Sequence, residues 1–289
     1  MAKSGEIAYL KNLGAAGVWH AANKPFSDPG CARYLAELGA VLALLPPPPA
    51  RLLDLGCGTG WTSVFFARAG YEVVGLDLAP DMIEQAEANR ARADLDRLKF
   101  GVRDYEHMAF AEAFDAAVFY DALHHAVDEG AAVAGAYRAL KPGGVCVTSE
   151  PGEGHHDSPE ARAAVRRYNV TEKEMPPRKI IELGRAAGFT GFRVYPHAFD
   201  LHHNLYRRDP EAAAPGHRRP LWLKRLLYWP VCRALGIGPG TFATRMGALG
   251  YVKHLANLLT RADRLGGIVA MEKGSACAAS APASVWPGP

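Results

Sequence analysis

The stretch Leu52-Leu53-Asp54-Leu55-Gly56-Cys57-Gly58-Thr59-Gly60-Trp61 constrains this chain more than any other. Its apolar start reads as a buried strand. Three glycines on alternate positions, Gly56, Gly58 and Gly60, then lead into a helical run from Thr62 to Ala69. Without Cβ atoms these glycines let the backbone turn sharply and approach a ligand closely. Their amides and the following helix N-terminus form an electropositive cradle for a nucleotide-like molecule carrying a carboxylate or phosphate. Asp54 narrows the choice, because an acid beside the cradle repels pyrophosphate and attracts an ammonium group.

Downstream the pattern stays βα. Tyr71–Asp77 reads as a second buried strand with Asp77 at its end, and Pro80 opens a helix through Met82 and Ile83. Leu98–Asp104 is a third strand, and Phe114–Tyr120 a fourth that runs into Asp121-Ala122-Leu123-His124-His125. A helix over about 129–140 stops at Lys141-Pro142-Gly143-Gly144, and Val145–Ser149 is the fifth strand. Continuous apolar strands alternating with helices predict a parallel sheet covered on both faces. Ligands of such sheets bind outside the C-terminal strand ends. Here those ends carry the glycine turn, Asp77, Asp104, Tyr120–His125 and Glu150.

The flanks are less regular. Residues 1–26 read as short helical fragments interrupted by Gly14, Gly17 and Pro25, with Trp19, His20 and Phe26 either packed on the domain or closed over a ligand. Ser27 or Asp28 is expected to cap a helix that has Pro29 in its first turn, and Pro46–Pro49 ends that helix as a stiff linker. After the fifth strand, Pro151–Pro177 reads as a loop holding Glu153, His155, His156 and Glu172. A helix over about 177–187 and strands at Phe189–Tyr195 and Gly267–Lys273 follow. The domain plan is therefore residues 1–50 as a helical segment and linker, 51–197 with 266–273 as the core, 198–265 as an insertion, and 274–289 as a disordered tail.

The chain of 289 residues carries a formal charge of +3, unevenly placed: residues 198–266 hold eleven Lys and Arg against four Asp and Glu. A basic insertion, net +7, thus sits on an acidic remainder. Five scattered cysteines form no CxxC pair, so neither a zinc site nor a disulfide framework is expected. No acidic cluster has metal-ligand spacing either, and no metal is expected. The first residues lack a signal-peptide core, and no stretch reaches the roughly 20 apolar residues of a membrane span, so a cytoplasmic protein is expected.

Five ordered motifs over residues 51–149 resemble the class I S-adenosylmethionine-dependent methyltransferases: Leu53–Gly60, Asp77, Asp104, Phe114-Asp115 with Leu123-His124-His125, and Leu140–Gly144. The resemblance implies a Rossmann-like, doubly wound α/β sheet of about seven strands, the last antiparallel. The basic segment then becomes a helical insertion between strands six and seven. It implies S-adenosyl-L-methionine as cofactor and S-adenosyl-L-homocysteine as product. Asp54 is expected near the methionyl ammonium, with Gly56, Cys57, Gly58 and Gly60 along the methionine part. Asp77 would accept both ribose hydroxyls. Asp104 would accept the adenine amino group, with the Tyr105 amide facing a ring nitrogen and Leu78, Met82 and Tyr120 beside the cofactor.

Methyl transfer from a sulfonium mainly requires alignment, but a hydroxyl acceptor also needs a base. His124, His125, Glu150, His155 and His156 are the candidates. No Asp-Pro-Pro-Tyr motif follows the fourth strand, so methylation of nucleic-acid bases is not expected. A small-molecule, glycan or lipid-linked hydroxyl is the expected acceptor. The segment 218–230, with cations among Trp222, Tyr228 and Trp229, reads as a cap, a substrate lid or a peripheral membrane contact at the inner face. Two rivals stand beside this: a non-catalytic cofactor-binding module, and an NAD-dependent oxidoreductase, since Asp77 follows the glycines by about 20 residues.

Overall fold

The computed structural model describes residues 3–197, 264 and 266–275. The expected insertion, including 218–230, lies outside the described residues apart from Arg264, and so does the tail after 275.

Among the described residues seven strands form one sheet: β1 (Arg51–Leu55), β2 (Glu72–Asp77), β3 (Leu98–Val102), β4 (Phe114–Tyr120), β5 (Leu140–Glu150), β6 (Gly191–Pro196) and β7 (Gly267–Glu272). Their order is β3-β2-β1-β4-β5-β7-β6. The pairs among β1 to β5 are parallel, whereas β7 runs antiparallel to both β5 and β6. The sequence reading of a doubly wound α/β sheet with a reversed last strand is therefore the observed architecture.

Residues alternate between the two faces, as the pleat requires. Leu53, Leu55, Ala117, Phe119, Val269 and Met271 join the core beneath α6 (Glu129–Ala139) and α8 (Pro177–Ala187). Leu52, Val73, Val118, Val147 and Ile268 join the other core, beneath α3 (Cys31–Leu44) and α4 (Trp61–Arg68). Each apolar β1 residue from Leu52 to Leu55 is fully buried, which is why the run shows no apolar–polar alternation.

Four boundaries differ from the sequence reading. Lys141–Gly144 does not separate α6 from a later strand, because β5 already starts at Leu140. Leu140 pairs with Phe114, and the register shifts before Val145 meets Ala116. The Gly143 amide donates to the carbonyl of Lys273, the residue after β7, so that end of β7 holds the kink in the sheet. The helix after Pro29 begins at Cys31, and Asp28 accepts the Gly30 amide in a turn rather than capping a helix. Gly14, at φ +71°, separates α1 (Ser4–Asn12) from α2 (Gly14–Ala22) as expected, but Gly17 lies inside α2 without interrupting it. Finally, the expected loop 151–177 contains α7 (Pro159–Tyr168), capped where the Ser158 hydroxyl accepts the Ala161 amide. The remaining helix, α5 (Pro80–Ala93), starts as expected at Pro80.

No helix among the described residues is long and apolar enough to cross a membrane.

Phe119 is completely buried on β4 between the sheet and α6. Phe119→Ala should lower the unfolding free energy by about 3–5 kcal/mol, read from the urea midpoint. A loss under about 1 kcal/mol would mean this face of the core is not packed as described.

Candidate active site

The glycine turn is tied to β2 by two bonds, from the Gly56 and Cys57 amides to the Leu76 carbonyl (2.8 and 2.9 Å). Gly56, Gly58 and Gly60 all have positive φ, at 74°, 54° and 75°. A Cβ on Gly56 would lie 2.7 Å from that of Ala122, and one on Gly60 would lie 2.5 Å from the Phe100 ring. A Cβ on Gly58 would meet nothing within 4 Å. Gly56 and Gly60 are thus demanded by protein packing as well as conformation, and Gly58 faces open space.

That space is a cavity of about 450 Å³ above the C-terminal strand ends. The strand order places the ends of β2 and β3 on one side of the glycine turn and those of β4 and β5 on the other. Cys57, Gly58, Asp77, Leu78, Met82, Asp104 and Tyr105 line it from the first side, and Tyr120, His124, His125, His155 and Glu172 from the second. Asp77 accepts the Gly58 amide on one carboxylate oxygen and the Ala79 amide on the other, both at 2.9 Å. Each oxygen keeps a lone pair for a ligand, and burial holds the carboxyl above its ordinary pKa.

Two expected ligand contacts are corrected by the packing, and a third residue is already engaged by the protein. Asp54 does not reach the cavity. It lies on the α4 face of β1, 1% exposed, and accepts the hydroxyls of Thr62 and Ser63 at 2.8 and 2.6 Å. It therefore clasps the first turn of α4 to the sheet, and burial raises its pKa to about 6 despite those bonds. Gly60 likewise shapes the turn without lining the cavity. Asp104 does line it, but its carboxylate already accepts Lys3 Nζ (2.8 and 2.7 Å), the Glu106 amide (3.0 Å) and His107 Nδ1 (2.9 Å). Those bonds overcome its partial burial and hold it below the usual carboxylate range.

Among the catalytic candidates, Glu150 is also displaced from the expected role. It is 2% exposed at the end of β5 and does not line the cavity. It accepts the amides of Ala122, Leu123 and His124 (3.1, 2.7 and 3.3 Å) and His124 Nδ1 at 2.7 Å. Glu150 positions His124. Burial opposes a charge on this imidazole, but the Glu150 bond and charge prevail and raise its pKa to about 9, so it carries a proton at neutral pH. His125, by contrast, is pushed down to about 4 by burial and by the neighbouring His124 charge. Its Nδ1 meets the Thr171 carbonyl at 2.6 Å. His155 Nε2 lies 2.8 Å from Glu172 Oε2, and His156 faces outward toward Asp157 and Glu174 without lining the cavity.

The fold also assembles what spacing concealed. One nitrogen each from His124 and His125 and a Glu172 oxygen lie within 4.8 Å of one another, a group capable of holding a metal. Glu172 follows His125 by 47 residues, so no ligand pattern is visible along the chain. Around His20, sequence reasoning also missed the rest of a cavity wall formed by Lys3, Glu6, Tyr9, Leu13, Gly17, His20 and Lys24. These recur every three or four residues, as one face of a helical segment does. The stripe mixes charges with apolar groups, so it does not read as a core face. Glu6 accepts the Thr171 amide at 2.6 Å, and burial raises its pKa to about 7. Of the aromatics considered for closure, His20 lines the cavity, while Trp19 and Phe26 are 63% and 72% exposed.

Residues 53–148 match the family described as a methyltransferase domain. The ubiquinone biosynthesis O-methyltransferase of Xanthomonas axonopodis pv. citri is 36% identical over 110 residues, covering 37% of this chain and 46% of that protein. The S-adenosyl-L-methionine-dependent Diels-Alderase iccD of Talaromyces variabilis is 33% identical over 133 residues, covering 44% of each. The chain thus matches under half the length of these curated relatives. In structure it resembles phosphoethanolamine N-methyltransferase 2 of Haemonchus contortus, with a TM-score of 0.60 at 19% identity, covering 94% of this chain and 60% of the other. That likeness concerns the fold.

The Asp54 clasp gives a pH signature. Its folded pKa of about 6 exceeds the ordinary 3.8, so the folded chain binds this proton more tightly. The associated stability is complete below pH 3.8 and is lost as pH rises through 6. Between those limits the wild type should lose of order 3 kcal/mol relative to Asp54→Asn, measured by urea unfolding at stepped pH. Parallel stability–pH curves for the two proteins would refute the assignment.

Proposed function

We propose that this chain, whose residues 53–148 match a methyltransferase domain, is a class I S-adenosylmethionine-dependent methyltransferase that binds S-adenosyl-L-methionine and methylates a hydroxyl oxygen of a small molecule. The cavity fits the cofactor. Gly58 opens onto free space beside the turn, and Asp77 keeps one acceptor site on each oxygen for the two ribose hydroxyls. Cys57 and the glycine turn would hold the methionine part, with Leu78, Met82 and Tyr105 against the adenosine. When bound, the cofactor supplies a methyl group already activated by its sulfonium charge.

The protein's own work lies on the other side of the turn. His124, pinned by Glu150 and cationic at neutral pH, serves as a hydrogen-bond donor that orients the acceptor. His125 stays neutral, fixed by Thr171. Glu172 is held below the usual carboxylate range, because the His155 bond and the positive charge nearby outweigh its burial. The His155–Glu172 pair is then the group placed to receive the hydroxyl proton. This convergence of three histidines and a carboxylate on the cavity is the observation that carries the reading.

The family match displaces the nicotinamide alternative. A second reading has a specific support, the similarity to a Diels-Alderase that depends on the same cofactor. In that reading the chain binds S-adenosyl-L-methionine without consuming it. Turnover of methyl-labelled cofactor against hydroxyl, amine and carboxylate acceptors, glycan and lipid-linked hydroxyls included, separates them. We expect labelled ether and stoichiometric S-adenosyl-L-homocysteine from hydroxyl acceptors. Label on an amine alone would overturn the oxygen assignment, and intact bound cofactor after every incubation would favour the second reading.

Asp77→Ala should weaken S-adenosyl-L-homocysteine binding at least tenfold by calorimetry, because two charge-assisted bonds worth about 1.5–3 kcal/mol each are lost. Unchanged affinity would remove the ribose assignment.

A further inference from the structure

We propose that His124, His125 and Glu172 form a binding site for a divalent metal ion of the Zn²⁺ type at the acceptor end of the cavity. The donors already converge: one nitrogen from each imidazole and one Glu172 oxygen fall within 4.8 Å of one another. His124 Nε2 and Glu172 Oε2 are 3.6 Å apart. Tetrahedral zinc with bonds of about 2.0–2.1 Å separates its donors by about 3.4 Å, so this pair is near its final spacing and the third donor closes in by at most about 1.4 Å.

The surrounding bonds are those a metal centre requires. A carbonyl can only accept, so His125 Nδ1 donates to Thr171 at 2.6 Å. Glu150 already accepts three backbone amides, so His124 Nδ1 donates to it at 2.7 Å. Both rings therefore have Nδ1 committed, leaving Nε2 as the coordinating atom. A carboxylate or carbonyl on the far nitrogen is the arrangement that orients and strengthens histidine ligands. His155 does the same for the carboxylate, with Nε2 at 2.8 Å from Glu172 Oε2. A proton-transfer site needs one oriented imidazole. Two adjacent ones, with ring centroids 4.0 Å apart and both fixed at Nδ1, fit a metal better.

Two nitrogens and one carboxylate oxygen suit Zn²⁺, Co²⁺ or Fe²⁺ rather than Mg²⁺ or Ca²⁺. Three protein ligands leave a fourth position open, as in catalytic rather than structural zinc sites. An acceptor hydroxyl entering that position is acidified as a metal-bound water is; with Glu172 then a ligand, its proton passes to His155 and on to solvent. The ion takes the place of any proton on His124 Nε2. Acceptor activation rests on the methyl-transfer reading, whereas binding of the ion does not.

The test uses the full chain, freed of metal with a chelator and titrated with Co²⁺ and then Zn²⁺. We expect one Co²⁺ per chain, with visible d–d absorption that Zn²⁺ abolishes. His125→Ala and Glu172→Gln should each weaken Co²⁺ binding at least tenfold while leaving far-UV circular dichroism and S-adenosyl-L-homocysteine affinity unchanged. Absence of one-to-one Co²⁺ binding, or equal affinity in both folded variants, overturns the site. Metal binding by a chain that fails to bind S-adenosyl-L-homocysteine supports the site and defeats the cofactor reading alone.

Discussion

The rim of this molecule is held by buried carboxylates that accept backbone amides, and Glu150 alone takes three of them. An anion at 2% exposure is tolerable only with its lone pairs filled, and Glu150 fills them with the amides of residues 122–124 and with His124. Those amides point inward because the chain after β4 turns tightly at Leu123–His125 instead of continuing as a strand. Glu106 repeats the device after β3, accepting the amides of Val127 and Asp128 at 2.8 and 3.1 Å. Asp54 does it with two hydroxyls. Removing a partner from such a group strands a buried charge, at about 3–5 kcal/mol. Loops above the sheet are thereby fixed as firmly as the strands, and a site built on them keeps its geometry.

The two sides of the glycine turn have different tasks. The first presents the glycine turn and one aspartate, Asp77, to the cavity. The second carries the histidines and Glu172, and only there does the arrangement bear on what is transferred, and to what. That relatives of this domain include an O-methyltransferase and a Diels-Alderase agrees with this division. A fold sets where a ligand sits, while the reaction belongs to the side chains around it.

The sequence made the sheet legible because both of its faces are buried, which gives unbroken apolar runs between glycine and proline stops. The place of Asp77 on the cavity wall was legible too, because it ends β2 beside the glycine turn. Asp54 was misread, although the pleat contained the answer, since Leu52 and Asp54 share the face that α4 covers. Glu150 was misread because a residue ending a strand can point into the cavity or beneath it, and composition does not distinguish these. The Ser158-Pro159-Glu160 helix start was present but lay within a polar stretch with no apolar stripe to draw attention to it. Glu6, Lys3 and the metal-capable trio depend on chain segments far apart in sequence, which only the tertiary structure joins.

One feature of the sheet edge bears on how such a protein diversifies. Pro196 at the end of β6 and Gly267 at the start of β7 are register partners, and Gly267 also stands opposite Glu150. The 70 residues between them, 197–266, therefore leave and re-enter the sheet at adjacent points. Closing a segment of that length rather than a five-residue turn costs only about 2 kcal/mol more in chain entropy. The sheet is nearly indifferent to what is spliced there. Recombination can exchange this segment between lineages, leaving strand pairing and the buried carboxylate beneath the histidines as they were.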